Sequence, residues 1–260
     1  MKKMFFLIAI LFLSSTAPAE TKIHITNGEW EPYMGTYSPH YGLSSHVVSE
    51  AFKLEGIKIE WGFFPWKRSF KMAKVGKKWD ASCCWWPLEE YHQDFIISKP
   101  INKSVVVFFH LKSFKFDWKS MDDLKELNIG GTLEYGYGKE FMNAMNEKKI
   151  YVEWVPRDEQ NYGKLLFGRT HIFPNDPIVG YSQLRNNFTP EEATLFTHHP
   201  KELMSTSLNL LISKQCKNGK WFSEKFDSGF KKLKESGRFD QMIRGVMIGK
   251  YDKQKVEWKE

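Results

Sequence analysis

Cysteine is scarce in this chain of 260 residues, with three in all: Cys83, Cys84 and Cys216. No C-x-x-C or H-E-x-x-H spacing occurs, and the eight histidines are scattered, with His198–His199 beside Pro200 expected in a surface loop. A metal centre needs convergent ligands, and this spacing supplies none. No G-x-G-x-x-G follows a strand pattern, so the fingerprint of a nucleotide site is missing. Internal repeats and low-complexity tracts are missing as well. Positive charge exceeds negative, 38 Lys and Arg against 31 Asp and Glu. The cations are interspersed with acids, as in Lys231–Lys232–Leu233–Lys234–Glu235, which describes solvated helix faces and not a nucleic-acid footprint. The odd cysteine count leaves at least one thiol over. Adjacent Cys83 and Cys84 are expected on opposite sides of a strand, where they cannot readily bridge. Small buried thiols are the plainer reading, with a bond from one of them to Cys216 as the alternative.

The longest apolar run, Met4–Leu13, is too short to cross a bilayer. It follows Lys2 and Lys3 and precedes Ala17–Pro18–Ala19, the arrangement of an export leader with an A-x-A cleavage site. Cleavage near Ala19 would deliver a chain of about 240 residues to a periplasm. Loss of the two lysines lowers the net charge from +7 to +5. That length suits one large domain or two modest lobes.

Strand and helix patterns alternate along this stretch, which predicts an α/β architecture. Strands are expected at Lys22–Thr26, Ile57–Phe63 and Asp80–Cys84, with helices at Leu43–Leu54 and Pro65–Val75. A second unit follows. Its helices are expected at Met121–Leu127, Gly138–Asn146, Glu159–Phe167 and Pro177–Leu184, and its strands at Asn128–Gly131, Tyr151–Val155 and His171–Asn175. An apolar strand at Met204–Ser213 and helices at Trp221–Ser236 and Arg238–Ile248 close the chain. Phe222, Phe226 and Phe230 recur every four residues, the mark of a helix face turned to the core.

The segment Lys78–Phe109 departs from ordinary core punctuation. A buried strand runs into Trp85–Trp86–Pro87, passes an acidic turn and a Phe95–Ser98 segment, and re-enters an apolar strand at Val105–Phe109. Tryptophan at a loop mouth offers a face on which a ligand can stack. This order of elements resembles the extracellular solute-binding protein family 3, the polar amino-acid type of periplasmic binding proteins. The resemblance covers nearly the whole mature chain and rests on order and spacing more than on any single motif.

It implies a two-lobed periplasmic-binding-protein fold of type II with two hinge crossings, near Val105–Phe109 and Ser205–Leu211. Lobe one would comprise residues 20–107 and 208–260, and lobe two residues 108–207. It also implies capture of a small polar, aromatic or cationic molecule by hinge closure and delivery to an ABC permease, by a monomer with no cofactor and no metal. A dehydratase-like enzyme on the same fold and a sensing subunit without transport are the alternatives.

The resemblance assigns ligand contacts to Trp30 and Tyr33 after the first strand, and to Trp66 and Arg68 at a helix start. It adds Cys84, Trp85, Trp86 and Tyr91 at and beyond the strand end. In the second unit it adds Tyr135, Tyr137 and Gly138 in a glycine-rich turn, and Asp176, matching the acid that pairs with a ligand ammonium. Tyr91 stands where the family carries an arginine that clamps a carboxylate. A phenol lacks that charged fork, which argues against a plain α-amino acid and toward a larger, flatter or cationic molecule. Lys67 or Arg68 would be the compensating cation. The residues themselves leave plainer readings open: ring packing for the aromatics, and helix capping for Asp176.

Overall fold

The computed structural model describes residues 21–253; the expected leader at 1–19 lies outside them. Ile23 and Ile25 alternate along β1 (Thr21–Asn27) and are fully buried. Gly42 precedes α1 (Leu43–Lys53), whose Val47, Val48, Ala51 and Phe52 form its apolar face. The chain returns through β2 (Ile57–Phe63), parallel to β1. Pro65 opens α2 (Trp66–Val75), and Gly76, at φ 67°, ends it by adopting the left-handed geometry that glycine tolerates. β3 (Ala81–Trp85) then pairs with the other edge of β1, again in parallel.

Two short pieces precede the crossing to the second half: a helical turn at Glu89–Gln93 and β4 (Phe95–Ile97). β5 (Asn102–Leu111) is the crossing strand. Beyond it come a single 3-10 turn at Met121–Leu124, β6 (Ile129–Thr132), α3 (Lys139–Asn146), β7 (Val152–Val155), α4 (Asp158–Leu166) and β8 (Phe173–Asn175). α5 (Pro177–Asn187), α6 (Pro190–Ala193) and β9 (Phe196–His198) follow. β10 (Met204–Ser213) carries the chain back, and α7 (Gly219–Glu235) and α8 (Arg238–Met247) pack against the first half.

The strands run in the order β2-β1-β3-β10-β5-β8, with β4 added to β10 and β9 to β5; β6 and β7 form a separate parallel pair. The architecture is the expected α/β, two-lobed type. Its cores are separate. The first lobe is filled from β1, α1, β3, the far half of β10, α7 and α8. The second is filled from β5, β6, α3, α4 and β9 in two clusters around Phe108 and Phe109.

β5 and β10 pair antiparallel, from Asn102 with Leu208 to Val106 with Met204. The two crossings are thus hydrogen-bonded to one another. The Phe222, Phe226 and Phe230 stripe is buried, and Phe226 stacks on Phe230 at 5.6 Å.

Three local readings are corrected. The helix expected over Met121–Leu127 is only the Met121–Leu124 turn, with its ends tied by a Ser120–Asp123 capping box. His198 lies not in a surface loop but in β9, opposite Phe109, with its ring nitrogen 2.8 Å from the Tyr181 hydroxyl. Cys83 and Cys84 do not point to opposite faces. The pairing of β3 with β10 slips between Asn209 and Leu211, Cys84 sits at φ 67°, and the two sulfurs lie 3.0 Å apart.

Candidate functional site

The carboxyl ends of β1 and β3 and the amino ends of α2 and α5 converge between the lobes. The loop after β1 folds back on itself through paired hydrogen bonds between Trp30 and Met34, of 2.8 and 3.1 Å. This sets the Trp30 ring 5.0 Å from that of Tyr33. Trp30 is half-buried and its indole N–H has no hydrogen-bond partner within the described chain. Tyr33 is fully buried and reaches across to the second lobe, where its hydroxyl donates to both oxygens of Asp176 at 3.2 and 3.3 Å.

Asp176 caps α5, accepting from the amides of Ile178 at 2.9 Å and Val179 at 3.4 Å. Ser104 and the Val105 amide, both on the crossing strand β5, also donate to it. Burial raises its pKa, and these donors oppose the rise. Burial first, and the Asp176 carboxylate second, push the Tyr33 phenol well above its ordinary range.

The two tryptophans that end β3 part company. Trp86 lies against the first lobe's core and faces Gly136 of the second lobe, where an added Cβ would stand 3.2 Å from its ring. Trp85 turns the other way. Its indole N–H donates to Ser82 at 2.7 Å, and its ring packs edge-on against Trp66, Phe70 and Tyr91. Tyr91 also packs on Phe70, at 4.9 Å. Trp66 covers Gly28, the last small residue before the Trp30 loop. Lys67 pairs with Glu134 of the other lobe at 3.0 Å, and Arg68 lies exposed over the Phe64 ring. Both cations expected to compensate for the missing clamp therefore have partners of their own.

In the second lobe, Tyr137 is buried in the core. Its hydroxyl accepts from the Thr132 amide at 2.8 Å, and its ring stacks on Trp154. Gly138, at φ 86°, starts α3 and abuts Met204 of the return crossing. Tyr135 is half-buried; burial, with Asp158 next, pushes its phenol up. The structure thus gathers Trp30, Tyr33, Trp86, Tyr135 and Asp176 near the junction of the lobes. It sets Trp85, Tyr91 and Tyr137 into packing roles, and Cys84 beneath the surface.

Two acids escaped the sequence reading. Asp158 is buried at the start of α4 and accepts from Thr132, from Gln183 at 2.8 Å and from Asn175 at 3.4 Å; burial raises its pKa. Glu31 is half-buried. Burial raises its pKa, Lys253 opposes, and Glu29, Asp252 and Glu159 add repulsion. The signal for Glu31 was its place beside Pro32 in the expected loop. Asp158 opens a helix after a strand, where an acid reads as a surface cap. Among the described residues no cluster of three or more His, Cys, Asp or Glu side chains is arranged to hold a metal ion. A surface cavity of about 600 Å³, lined by His40, His46, Glu50, Lys53 and Trp61 among others, contains none of the residues named above.

No family model and no curated protein sequence matches the chain. Solved structures do match. The second substrate-binding domain of Lactococcus lactis GlnP is 17% identical, with 92% of this chain and 99% of that one covered and a TM-score of 0.66. A histidine kinase sensor domain similar to periplasmic binding proteins is 13% identical over 88% of this chain and 97% of that one, at 0.68. The GluR0 ligand-binding core of Nostoc punctiforme, solved with L-glutamate, is 18% identical over 86% and 98%, at 0.64. The fold is therefore that of the two-lobed solute-binding domains.

Proposed function

We propose that the chain is a solute-binding protein that closes its lobes on a small organic cation with a flat or aromatic-compatible body and hands it to an ABC permease. The chain would leave its first lobe near residue 107 and return to it near residue 208. The observation that carries the reading is the meeting of aromatic rings with a buried carboxylate across the lobe junction: Trp30, Tyr33 and Trp86 from one side, Tyr135 and Asp176 from the other. Ring faces and desolvated carboxylates both favour positive charge. The unpartnered indole N–H of Trp30 supplies one donor for an acceptor on the ligand.

Closure is a two-state equilibrium biased by whatever the ligand contacts only in the closed form. Mass spectrometry of the compound that co-purifies tests the class directly. A quaternary ammonium compound or an aromatic amine is expected; a free dicarboxylate would refute the cation. Calorimetry on Trp30→Ala should then show binding weaker by about 1–3 kcal/mol, the scale of one buried aromatic contact. Unchanged affinity would remove Trp30 from the site. The likeness to a histidine kinase sensor domain supports a second reading, ligand sensing without transport. Uptake of the identified compound by cells with and without the gene separates the two.

A further inference from the structure

The thiol pair at the end of β3 plays no part in the binding just described. Two steps of β10, from Leu211 to Asn209, span three steps of β3, from Ser82 to Trp85. The extra residue falls at Cys83–Cys84, which makes this a β-bulge. In a regular strand neighbouring side chains point to opposite faces. Here Cys84 takes φ 67°, a conformation that non-glycine residues seldom adopt. The bulge brings both side chains into the core of the first lobe, with Sγ–Sγ at 3.0 Å. A disulfide bond is about 2.05 Å long, so a movement of about 1 Å would close one. Cys216 stands apart from this arrangement, its thiol donating to Asp80 at 3.2 Å.

We infer that Cys83 and Cys84 form a vicinal disulfide, a reversible cross-link that fixes the bulge immediately before Trp85 and Trp86. The oxidant is another disulfide, of the class that exported proteins meet. The Cys84 thiolate attacks one sulfur of that disulfide and releases one thiol, leaving a mixed disulfide. The Cys83 thiolate then attacks the Cys84 sulfur and releases the second thiol. Two protein thiols give up two protons and two electrons, and one disulfide is reduced to two thiols. Cys84, 5% exposed, is the point of entry, because Cys83 is fully enclosed.

Adjacent Cα atoms lie only about 3.8 Å apart, short of the roughly 4.4–6.8 Å usual for a disulfide-bonded pair. A ring closed over that span is strained, and strained disulfides are the readily reduced, switchable ones. Burial also raises the Cys83 thiol well above its ordinary range, which favours closure as the chain folds, before that thiol is enclosed.

The full-length protein, reduced, unfolded and refolded with oxidised and reduced glutathione, is quenched in acid, unfolded and alkylated. One label is expected, on Cys216, rising to three after reduction. The peptide carrying both Cys83 and Cys84 should be unlabelled and two hydrogens lighter than the dithiol. Cys83→Ser removes the resolving thiol and should retain glutathione on Cys84, where the wild type sheds it. Three labels without prior reduction would overturn the inference. So would a bond from either residue to Cys216, or glutathione retained on the wild-type pair.

Discussion

Tyr33 shows how one side chain ties the site to the fold. Its hydroxyl is among the few donors to a buried carboxylate, and it comes from the opposite lobe. Tyr33→Phe should lower the stability of the unliganded protein by about 1.5–3 kcal/mol in urea unfolding, the range for a hydrogen bond to a charged group. A loss below about 0.5 kcal/mol would mean that the amides of α5 and Ser104 suffice for Asp176.

His46 makes a second residue-scale case. Burial, with His40 stacked at 3.9 Å, lowers its pKa to about 4; Glu50 opposes, while Arg238 and Lys53 add to the effect. The folded protein keeps this ring neutral between about pH 4 and the ordinary 6.5, a window in which the unfolded chain takes up the proton. Stability therefore falls as pH drops through that window. Solvent in the adjoining cavity reduces the size of the effect to about 1–2 kcal/mol. His46→Gln should flatten that limb of a stability-against-pH curve measured by thermal or urea unfolding; an unchanged slope would acquit the histidine.

The placing of Trp30, Tyr33, Trp86 and Asp176 near the lobe junction could be read from the sequence because each sits at a strand end or a helix start, where composition marks a loop mouth. Trp85 and Tyr91 could not be told from them by spacing. The two rings of a tryptophan pair look alike in a sequence, and only the course of the backbone at the end of β3 decides which one meets the other lobe.

Among the elements, α1 and α7 approach closely at Gly229, where an added Cβ would lie 1.9 Å from the Ala51 carbonyl oxygen. Gly229→Ala must therefore push two helices apart. It should cost about 1–3 kcal/mol, as overpacking does, although alanine is the better helix former. A stabilised variant in thermal unfolding would show that the helices slide freely. Lys225, Ser228 and Lys232 on the same helix all reach Glu55 just beyond α1, at 3.0, 2.8 and 2.6 Å.

Most strands and long helices were readable from periodicity, since β1, β2 and α7 alternate or repeat with little interruption. The short elements β4 and β9 owe their form to pairing with distant strands, and no local pattern announces that. The bulge at Cys83–Cys84 escaped for a related reason: a one-residue surplus is visible only against the partner strand.

The molecule as a whole turns on the contact between its lobes. Lys67 and Glu134 form an exposed bridge across that junction, 3.0 Å long. Such a pair contributes little, about 0–1 kcal/mol. Glu134→Lys replaces it with like charges and should weaken binding of the co-purifying ligand by no more than about tenfold, with a deficit that shrinks as salt is added. A deficit independent of salt would show that Glu134 acts through something other than its charge. The two-lobed plan was legible only through the resemblance. Nothing local in Val105–Phe109 or Ser205–Leu211 shows that they are neighbours in space.

That neighbourhood has a mechanical consequence. Because Asn102–Val106 and Met204–Leu208 share one ladder of backbone bonds, neither ribbon twists without dragging the other. A pair of independent tethers would leave the halves free to slide and roll. A laminated leaf resists shear and bends about a single axis, so the opening proposed above would retrace one path.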